Sequence, residues 1–542
     1  MDHDWWRGAV IYQIYPRSFF DSNGDGVGDL RGITARLPYI ADLGVDAIWI
    51  CPFYLSPMKD FGYDVADYCA VDPVFGTLDD FDALVERAHD LGLRVLIDQV
   101  WSHTSDEHRW FQASRTHRFG AYADWYVWAD PRPDGTPPNN WLSVFGGSAW
   151  TWEPRRRQYY LHHFLPSQPQ LNLRNEHVVA ALGRVARFWL RRGVDGFRLD
   201  AIDFMLHDEQ LRDNPPKNLP PSQIPAKLFG MQIHLYDMVQ PEVVNLAALL
   251  RRLIDRYFPG VALLGEVSSQ EGALERISNY TSARGNRLHM AYTLGLMKRP
   301  FSRDLFLGAI EEVSDDGWMC WTFSNHDVER AASRWNDGTA DDRFSRLLMA
   351  LLLTLRGSAC MYQGEELGLP EATLDPADMQ DPYGIAFYPE FRGRDGSRTP
   401  MPWHADAPNA GFSSATKAWL PVPDSHRERA VDRQKSDPHS LLNHWRRFLR
   451  WRKAHPALRT GEIRIIPVPA PFLTFERRTE TQRIVVVFNF DRAPAALPLD
   501  LLPPCRPLDG HGFDSRLDGG LLTLPGWGVF FGAAETRPDP DA

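Results

Sequence analysis

Residues 194–200 read Val-Asp-Gly-Phe-Arg-Leu-Asp, a short apolar run that ends in a charged residue. Similar runs recur from residue 10 to about residue 361, and apolar residues at helical spacing lie between them, as in Phe81, Leu84, Val85 and Ala88. Alternating strands and helices predict a parallel sheet, and eight repeats predict a closed (β/α)8 TIM barrel of the α/β class. The predicted strands are residues 10–14, 47–50, 95–97, 196–199, 261–264, 288–292, 318–323 and 358–362.

An open, doubly wound sheet is the structural alternative. Such a sheet usually has fewer strands and a glycine-rich first turn. No G-x-G-x-x-G motif leads from a strand into a helix in this sequence, so the closed barrel is favoured.

Two long insertions and a change of pattern divide the chain. The third predicted strand is followed by a stretch rich in Trp, Pro, Gly and Asn, which we interpret as a small inserted subdomain over residues 104–172. A second insertion, residues 206–240, follows the fourth strand. From residue 462, short apolar runs separated by turns predict an antiparallel β-domain. The predicted domains are thus the barrel over 1–103 and 173–461, the inserted subdomain, and a C-terminal β-domain over 462–542.

Composition and charge limit the classes of function. The 542 residues include 59 Lys and Arg against 70 Asp and Glu, a net charge of −11 without any Lys/Arg-rich run, which argues against nucleic acid and anionic membranes as partners. The longest apolar run, residues 347–355, is too short to cross a bilayer, and the first residues lack the pattern of a signal peptide. Together with five scattered cysteines, these features predict a soluble, cytoplasmic protein.

Acidic residues and histidines stand directly after several predicted strands. In a barrel enzyme the catalytic groups lie at this end of the strands. A single Asp in such a place is often only a helix N-cap, but four acidic groups, two histidines and an arginine at one face of one barrel favour a functional site. The set is Asp98, His103, Arg198, Asp200, Glu266, His326 and Asp327.

Several carboxylates around one cavity, without metal-ligand spacing, are typical of glycoside cleavage, which needs an acid for the leaving oxygen and a carboxylate for the oxocarbenium carbon. Arg198 stands two residues before Asp200, so its side chain points to the same side and would keep Asp200 ionised, as a nucleophile requires. Glu266 follows Leu263-Leu264-Gly265, and apolar surroundings would raise its pKa and suit a general acid. These residues alone prove neither assignment.

Four segments resemble the signature regions of glycoside hydrolase family 13, the α-amylase family, in the family's order and spacing. Further segments are similar to the family's bacterial α-glucosidase and oligo-1,6-glucosidase branch, so the resemblance covers nearly the whole chain. The signature segments are Asp98 to His103, Gly196-Phe-Arg-Leu-Asp200, Gly265-Glu266 and Ser324-Asn-His-Asp327, and those of the branch are residues 5–19, Gly62-Tyr-Asp64-Val-Ala-Asp-Tyr and Arg398-Thr-Pro-Met-Pro-Trp403.

The resemblance implies a role for each acidic residue. Asp200 would be the nucleophile, Glu266 the acid/base and Asp327 the transition-state stabiliser that holds sugar hydroxyls. The implied reaction is a retaining double displacement through a covalent β-glucosyl-enzyme, with carboxylates roughly 5–5.5 Å apart.

The resemblance also implies which residues bind the sugar. His103, Arg198 and His326 would contact the glucose in the −1 subsite. Phe164 would form an aromatic wall of the pocket, the alternative being a core residue of the inserted subdomain. Asp64 and Arg398 resemble the pair that closes the pocket behind the non-reducing glucose and makes the enzyme exo-acting, the alternative being a surface ion pair.

Departures from the family pattern bear on specificity. Gln170 stands where relatives usually have Asp, so no ionic role is transferred to it. Ala201 follows the nucleophile where α-1,6-specific relatives have Val, and this resembles the α-1,4-preferring members, although a methylene or two shifts preference by only ~1–3 kcal/mol. The insertion with Asp213-Asn-Pro-Pro resembles α-glucosidases that are restricted to disaccharides and also transfer glucose to alcohols and phenols.

The sequence therefore predicts an exo-α-glucosidase for maltose-like α-glucosides that also transfers glucose to sugar, alcohol or phenol acceptors, as a monomer or homodimer. A sucrose- or maltose-acting glucosyltransferase or isomerase of the same family would use the same three carboxylates and is the first alternative. A catalytically silent binding relative is the second, and such proteins usually have lost catalytic carboxylates or carry a membrane segment.

One loop has the pattern of a calcium site. Residues 21–29 read Asp-Ser-Asn-Gly-Asp-Gly-Val-Gly-Asp, with oxygen donors at alternate positions and Gly26 at the sharp turn. Gly32 replaces the Glu of an EF-hand, and a glycine-rich turn with capping carboxylates is a close alternative. Relatives in this branch resemble the loop and bind Ca²⁺ or Mg²⁺, which implies a structural ion held by Asp21, Asn23, Asp25, the Val27 carbonyl and Asp29.

Overall fold

The centre of the molecule is a parallel sheet of eight strands. The computed structural model describes residues 3–283 and 285–535. The strands are β1 Val10–Ile14, β2 Ala47–Ile50, β3 Arg94–Gln99, β4 Gly196–Leu199, β5 Ala262–Val267, β6 Met290–Thr293, β7 Cys320–Thr322 and β8 Ser358–Tyr362. Their hydrogen-bonded order is β6-β5-β4-β3-β2-β1-β8-β7, and a bridge from Ala291 to Met319 joins the two edges. Each strand overlaps one predicted run, and the predicted barrel is confirmed.

A helix follows each barrel strand. The helix after β2 begins at a capping box between Thr77 and Asp80 and buries Phe81, Leu84 and Val85 on one face, as the helical spacing predicts. The eight helices are α1 Leu30–Leu43, α2 Leu78–Asp90, α3 Glu176–Leu190, α4 Val243–Tyr257, α5 Ala273–Tyr280, α6 Arg303–Glu312, α7 Asp342–Thr354 and α8 Leu441–Lys453.

Side chains alternate along the strands between the barrel interior and the layer beneath the helices. The interior cluster includes Ile11, Trp49, Leu96, Leu264 and Cys320. Because these side chains fill the barrel, polar groups can gather only where the strands end, and the chemistry is confined to that face.

The two insertions pack against each other. β3 is followed by a short helix, Arg109–Ser114, and by an antiparallel sheet formed by Trp128–Ala129, Trp150–Glu153 and Gln158–Leu161. The indole of Trp141 donates to the Arg212 carbonyl at 2.8 Å and thereby joins this region to the loop that follows β4. Within the described ranges 3–283 and 285–535, no helix has the length and apolarity needed to cross a bilayer.

The C-terminal region is antiparallel, as predicted. Its strands are β9 Glu462–Ile465, β10 Phe472–Arg478, β11 Arg483–Asn489, β12 Ala495–Pro498, β13 Cys505–Pro507, β14 Arg516–Asp518, β15 Leu521–Leu524 and β16 Val529–Ala534. They form two sheets, ordered β9-β10-β11-β16-β13 and β12-β15-β14. The buried guanidinium of Arg477 on β10 donates to the carbonyls of Thr354 and Leu355 at the end of α7, which fixes this region to the barrel.

Candidate active site

The site is organised around the guanidinium of Arg198, at the carboxyl end of β4. Arg198 is fully buried, and its Nη1 donates to Asp98 Oδ1 at 2.5 Å and to Asp200 Oδ1 at 2.6 Å. Its Nη2 donates to Glu266 Oε2 and to the Tyr292 hydroxyl. One cation therefore faces carboxylates presented by three neighbouring strands.

Strand register explains this meeting. Asp98 on β3 lies opposite Arg198 on β4, and Leu264 on β5 lies opposite Arg198 from the other side. Glu266 is two residues beyond Leu264, and Asp200 is two residues beyond Arg198. Because side chains alternate along a strand, all four polar side chains point to the same side of the sheet.

Burial raises the pKa of both Asp200 and Glu266, because it penalises the charged form. Arg198 opposes this shift at both residues. The charges of Asp200 and Asp327 raise the pKa of Glu266 further, so Glu266 holds a proton to higher pH than Asp200 does. The backbone N–H of Ala201 donates to Glu266 Oε2 at 3.1 Å. The two carboxyl groups therefore differ in protonation at neutral pH, as an acid and a nucleophile must.

Asp327 lies in a second cationic environment. Its Oδ1 accepts from Arg398 Nη2 at 2.9 Å and from Arg394 Nη1 at 3.2 Å, and its Oδ2 lies 3.1 Å from His326 Nε2. Burial alone would raise the pKa of Asp327, but the contact with His326 and the charges of Arg394 and Arg398 outweigh it and hold that pKa well below its ordinary value. Asp327 is therefore ionised at neutral pH.

His103 and Phe164 lie together beside this site. Their ring centroids are 5.3 Å apart. The half-buried Phe164 packs against the small cluster that contains Ala201 and Phe204. That cluster is separate from the apolar core of the inserted region, which contains Trp141. This placement favours the pocket-wall interpretation of Phe164 over the core alternative.

Asp64 and Arg398 are both buried, but no hydrogen bond or ion pair joins them among the described residues. Asp64 accepts from the Ser56 hydroxyl at 2.9 Å and from the Lys59 N–H at 2.8 Å. Arg398 donates to Asp327 and, through Nε, to the His326 carbonyl at 2.7 Å. Neither the closing pair nor the surface ion pair is formed by these two residues.

An ion pair that was not predicted from the sequence, between Arg394 and Asp60, lies in the same region. Arg394 Nη2 donates to Asp60 Oδ1 at 2.8 Å and to Asp381 Oδ1 at 2.7 Å. Asp60 also accepts from the Gln168 amide at 3.0 Å. Asp60 is four residues before Asp64 and Arg394 is four residues before Arg398, so the ion pair joins the two predicted motifs through other members.

The loop at residues 21–29 satisfies its carboxylates internally. Asp21 accepts from the N–H groups of Asn23, Gly24 and Gly26 and from the Ser413 hydroxyl, and Asp29 caps α1. Among residues 3–283 and 285–535, no three or more His, Cys, Asp or Glu side chains are grouped so as to hold a metal ion. Asp21 and Asp29 are therefore held in place by hydrogen bonds, while Asn23 and Asp25 lie at the surface.

Comparison with known proteins places this geometry in a family. The model of the α-amylase catalytic domain matches residues 13–461. The chain belongs to the α-amylase family. Its sequence is 55% identical over 541 residues to a probable α-glucosidase of Rhizobium meliloti (strain 1021), an alignment that covers 98% of this chain and 97% of that protein.

Two solved structures extend the comparison within the α-amylase family. A crystal structure of an α-glucosyl transfer enzyme is 53% identical, with a TM-score of 0.93 over 98% of this chain and 99% of that chain. The trehalulose synthase of Pseudomonas mesoacidophila MX-45 is 31% identical, with a TM-score of 0.84 over 98% and 99% of the two chains. The protein is thus a family enzyme of glucoside hydrolysis or glucosyl transfer.

Replacing Arg394 with Met should destabilise the fold by about 3–5 kcal/mol, because Asp60, Asp381 and Asp327 would lose a buried cationic partner. Urea unfolding followed by tryptophan fluorescence measures this loss. Arg433→Met is the matched control, since Arg433 and its partner Asp406 are exposed and the expected change is below ~1 kcal/mol. Equal losses in the two variants would contradict a buried network centred on Arg394.

Proposed function

We propose that the protein is a retaining exo-α-glucosidase acting on short, maltose-like α-glucosides, with transfer of glucose to hydroxyl acceptors. The observation that carries the proposal is the contact of Asp200 and Glu266 with one buried guanidinium, that of Arg198. This contact brings two carboxyl groups together, and burial with the charges of Asp200 and Asp327 gives Glu266 the higher pKa, so that the two differ in protonation as double displacement at a glycosidic carbon requires.

In the first step Asp200 forms a bond to the anomeric carbon while the glycosidic C–O bond breaks. Glu266 gives its proton to the leaving oxygen. In the second step Glu266 accepts a proton from water or from another hydroxyl, whose oxygen displaces Asp200. The ionised Asp327 would hold the glucose hydroxyls and stabilise positive charge on the ring, with His103, Arg198 and His326 as the other polar contacts and Phe164 as the wall.

The exo-acting character rests on charges that close one end of the site. Arg394 binds the carboxylates of Asp60, Asp381 and Asp327. The buried Asp64 accepts a hydrogen bond from the Asp60 N–H at 3.1 Å. Such a network would bind the hydroxyls of a terminal glucose and would stop a longer chain from passing this end of the site. It would serve the closing role that the sequence analysis gave to Asp64 and Arg398.

Transfer and hydrolysis differ only in the acceptor of the glucosyl group. The names of the transfer enzyme and of the trehalulose synthase support a site that admits sugar hydroxyls as well as water. A glucosyltransferase or isomerase therefore remains the second candidate. The α-1,4 preference rests on Ala201 alone. The presence of Asp200, Glu266 and Asp327 in one buried site opposes a catalytically silent relative.

A time course with maltose as sole substrate tests the proposal. Glucose formed at twice the rate of maltose consumption would establish hydrolysis. Early di- and trisaccharides with delayed glucose would make the enzyme chiefly a transferase.

Asp200→Asn is expected to lower the rate of either reaction by more than a thousandfold, on the order of triad-residue losses in hydrolases, while thermal unfolding stays unchanged. Near-normal turnover in this variant would contradict the nucleophile assignment.

The pH dependence of kcat/KM should show two limbs. The rate falls as the pH drops through the pKa of Asp200, because the nucleophile must be ionised. It falls again as the pH rises through the pKa of Glu266, because the acid must be protonated; burial raises both pKa values above their ordinary range.

The alkaline limb of the pH profile identifies the residue that acts as the acid. With 4-nitrophenyl α-glucoside, whose leaving group depends less on protonation than a sugar does, Glu266→Gln should still release a burst of nitrophenol, and that burst should lack the alkaline limb. The exposed Glu428→Gln serves as the control and should keep both limbs. An alkaline limb that persists in Glu266→Gln would show that another group is the acid.

We also propose that Ca²⁺ or Mg²⁺, when bound by loop 21–29, stabilises the fold without taking part in the reaction. The hydrogen bonds of the loop reach α1 and Ser413 rather than the reacting carboxylates. EDTA is expected to lower the Tm while the room-temperature rate with maltose is retained. Asp25→Asn, which alters an exposed predicted ligand, should abolish this effect of EDTA. A lost rate at unchanged Tm would contradict the structural role.

A further inference from the structure

The imidazole of His326 has two chemically different sides. Its Nε2 faces oxygens, with Asp327 Oδ2 at 3.1 Å and the Tyr63 hydroxyl at 2.7 Å. Its Nδ1 faces the side-chain amide nitrogen of Gln13 at 2.8 Å, and the Cys51 sulfur lies 3.8 Å away. Gln13 and His326 are both completely buried, so water cannot replace either partner.

The protons in this network can be placed by counting donors and acceptors. The ionised Asp327 can only accept, so its 3.1 Å contact with Nε2 of His326 is favourable when that nitrogen carries the proton. The Tyr63 hydroxyl donates to Asp98 Oδ2 at 3.3 Å, which leaves its oxygen free to accept from the same Nε2. Both neighbours of Nε2 are therefore satisfied by the same tautomer of His326.

His326 is neutral, so its other ring nitrogen holds a lone pair. Burial lowers the pKa of His326 to about 3, against the opposing charge of Asp327 and with the help of three nearby arginines. The ionisable and charged side chains that face the ring, from its own loop and from the surrounding strand ends and loops, are Asp327, Tyr15, Cys51, Tyr63, Arg198, Arg394 and Arg398.

The lone pair on Nδ1 needs a donor, and Gln13 supplies it. The Gln13 amide nitrogen has two N–H groups, and the second donates to the Cys51 sulfur at 3.3 Å. Among the described residues, Gln13 Oε1 has no partner. Turning the amide around would place an oxygen against Nδ1, draw the proton to that nitrogen, and leave two lone pairs facing each other between Nε2 and Asp327.

We propose that Gln13 is a positioning residue that fixes the tautomer of His326 and so aims an N–H at Asp327 and at the sugar beside it. Gln13 is the fourth residue of β1, on the barrel wall, and touches neither of the reacting carboxylates Asp200 and Glu266. The proposal rests on the proposed function for its effect on rate. The tautomer itself is a property of the unliganded protein.

Two substitutions separate this role from packing. Gln13→Met preserves length and removes the donor, and we expect kcat/KM to fall about 10- to 100-fold at every pH, as for a misplaced contact group. Part of this fall should come from a lower kcat and not only from a higher KM, since the transition state is affected. In Gln13→Glu, the introduced side chain can donate to Nδ1 only while it is protonated. In that state the new carboxyl group and His326 together hold one proton more than a carboxylate and a neutral imidazole do.

The Gln13→Glu variant should therefore work best at low pH. As the pH rises and the extra proton is lost, the new carboxylate faces a lone pair and the required tautomer is disfavoured. The alkaline limb of kcat/KM should move to lower pH by at least one unit, roughly a tenfold loss per unit beyond it. Gln99→Glu is the matched control, because Gln99 is equally buried at the end of β3 but bonds Tyr54 and Trp101 instead; it should not shift the limb.

A direct measurement is independent of activity. In protein labelled with ¹⁵N-histidine, the His326 signals are identified by their loss in His326→Gln. The proposal expects a protonated Nε2 and an unprotonated Nδ1 in the parent protein, and a changed pattern in Gln13→Met. Unchanged signals in Gln13→Met, or an unshifted alkaline limb in Gln13→Glu, would overturn it. If the parent protein does not act on maltose but shows the expected signals, the proposed function fails and the role of Gln13 stands.

Discussion

A single buried guanidinium facing three carboxylates is the constraint on which the site depends. Arg198 has no access to solvent, and it contacts Asp98, Asp200 and Glu266 directly. One positive charge cannot balance three negative ones in a poorly solvated interior, so at least one carboxyl group must keep its proton. Glu266 holds its proton to the highest pH, because burial and the charges of Asp200 and Asp327 raise its pKa above those of Asp98 and Asp200. The proposed acid is therefore also the group that the local electrostatics favour.

A second group of positive charges keeps Asp327 ionised, in contrast to the protonated Glu266. Arg394 and Arg398 hold it ionised, while Arg198 shares its charge among the other three carboxylates. Two residues of one chemical type, Asp200 and Asp327, thus differ because of their partners rather than their burial. His326 lies between the charges around Arg198 and those around Asp327. Because it is neutral, it adds no charge to either, and it contributes the direction of one N–H.

The parts of this arrangement that follow from local periodicity could be predicted from sequence. Eight short apolar runs gave the barrel, and alternation along β4 placed Arg198 and Asp200 on one side. The ion pair of Asp60 and Arg394 could not be found this way, because its members are 334 residues apart on irregular loops. Family resemblance found both loops but chose Asp64 and Arg398. Only three-dimensional contact distinguishes residues that are four positions apart in such loops.

The backbone at Ala201 has a consequence for how linkage preference evolves. Ala201 adopts a left-handed conformation, with φ of 42°, directly after Asp200. β-Branched side chains are strongly disfavoured there. A Val at position 201 would thus change the energy of the main chain beside Asp200 as well as the width of the pocket. Such a substitution would be accommodated best together with compensating changes in the turn after β4.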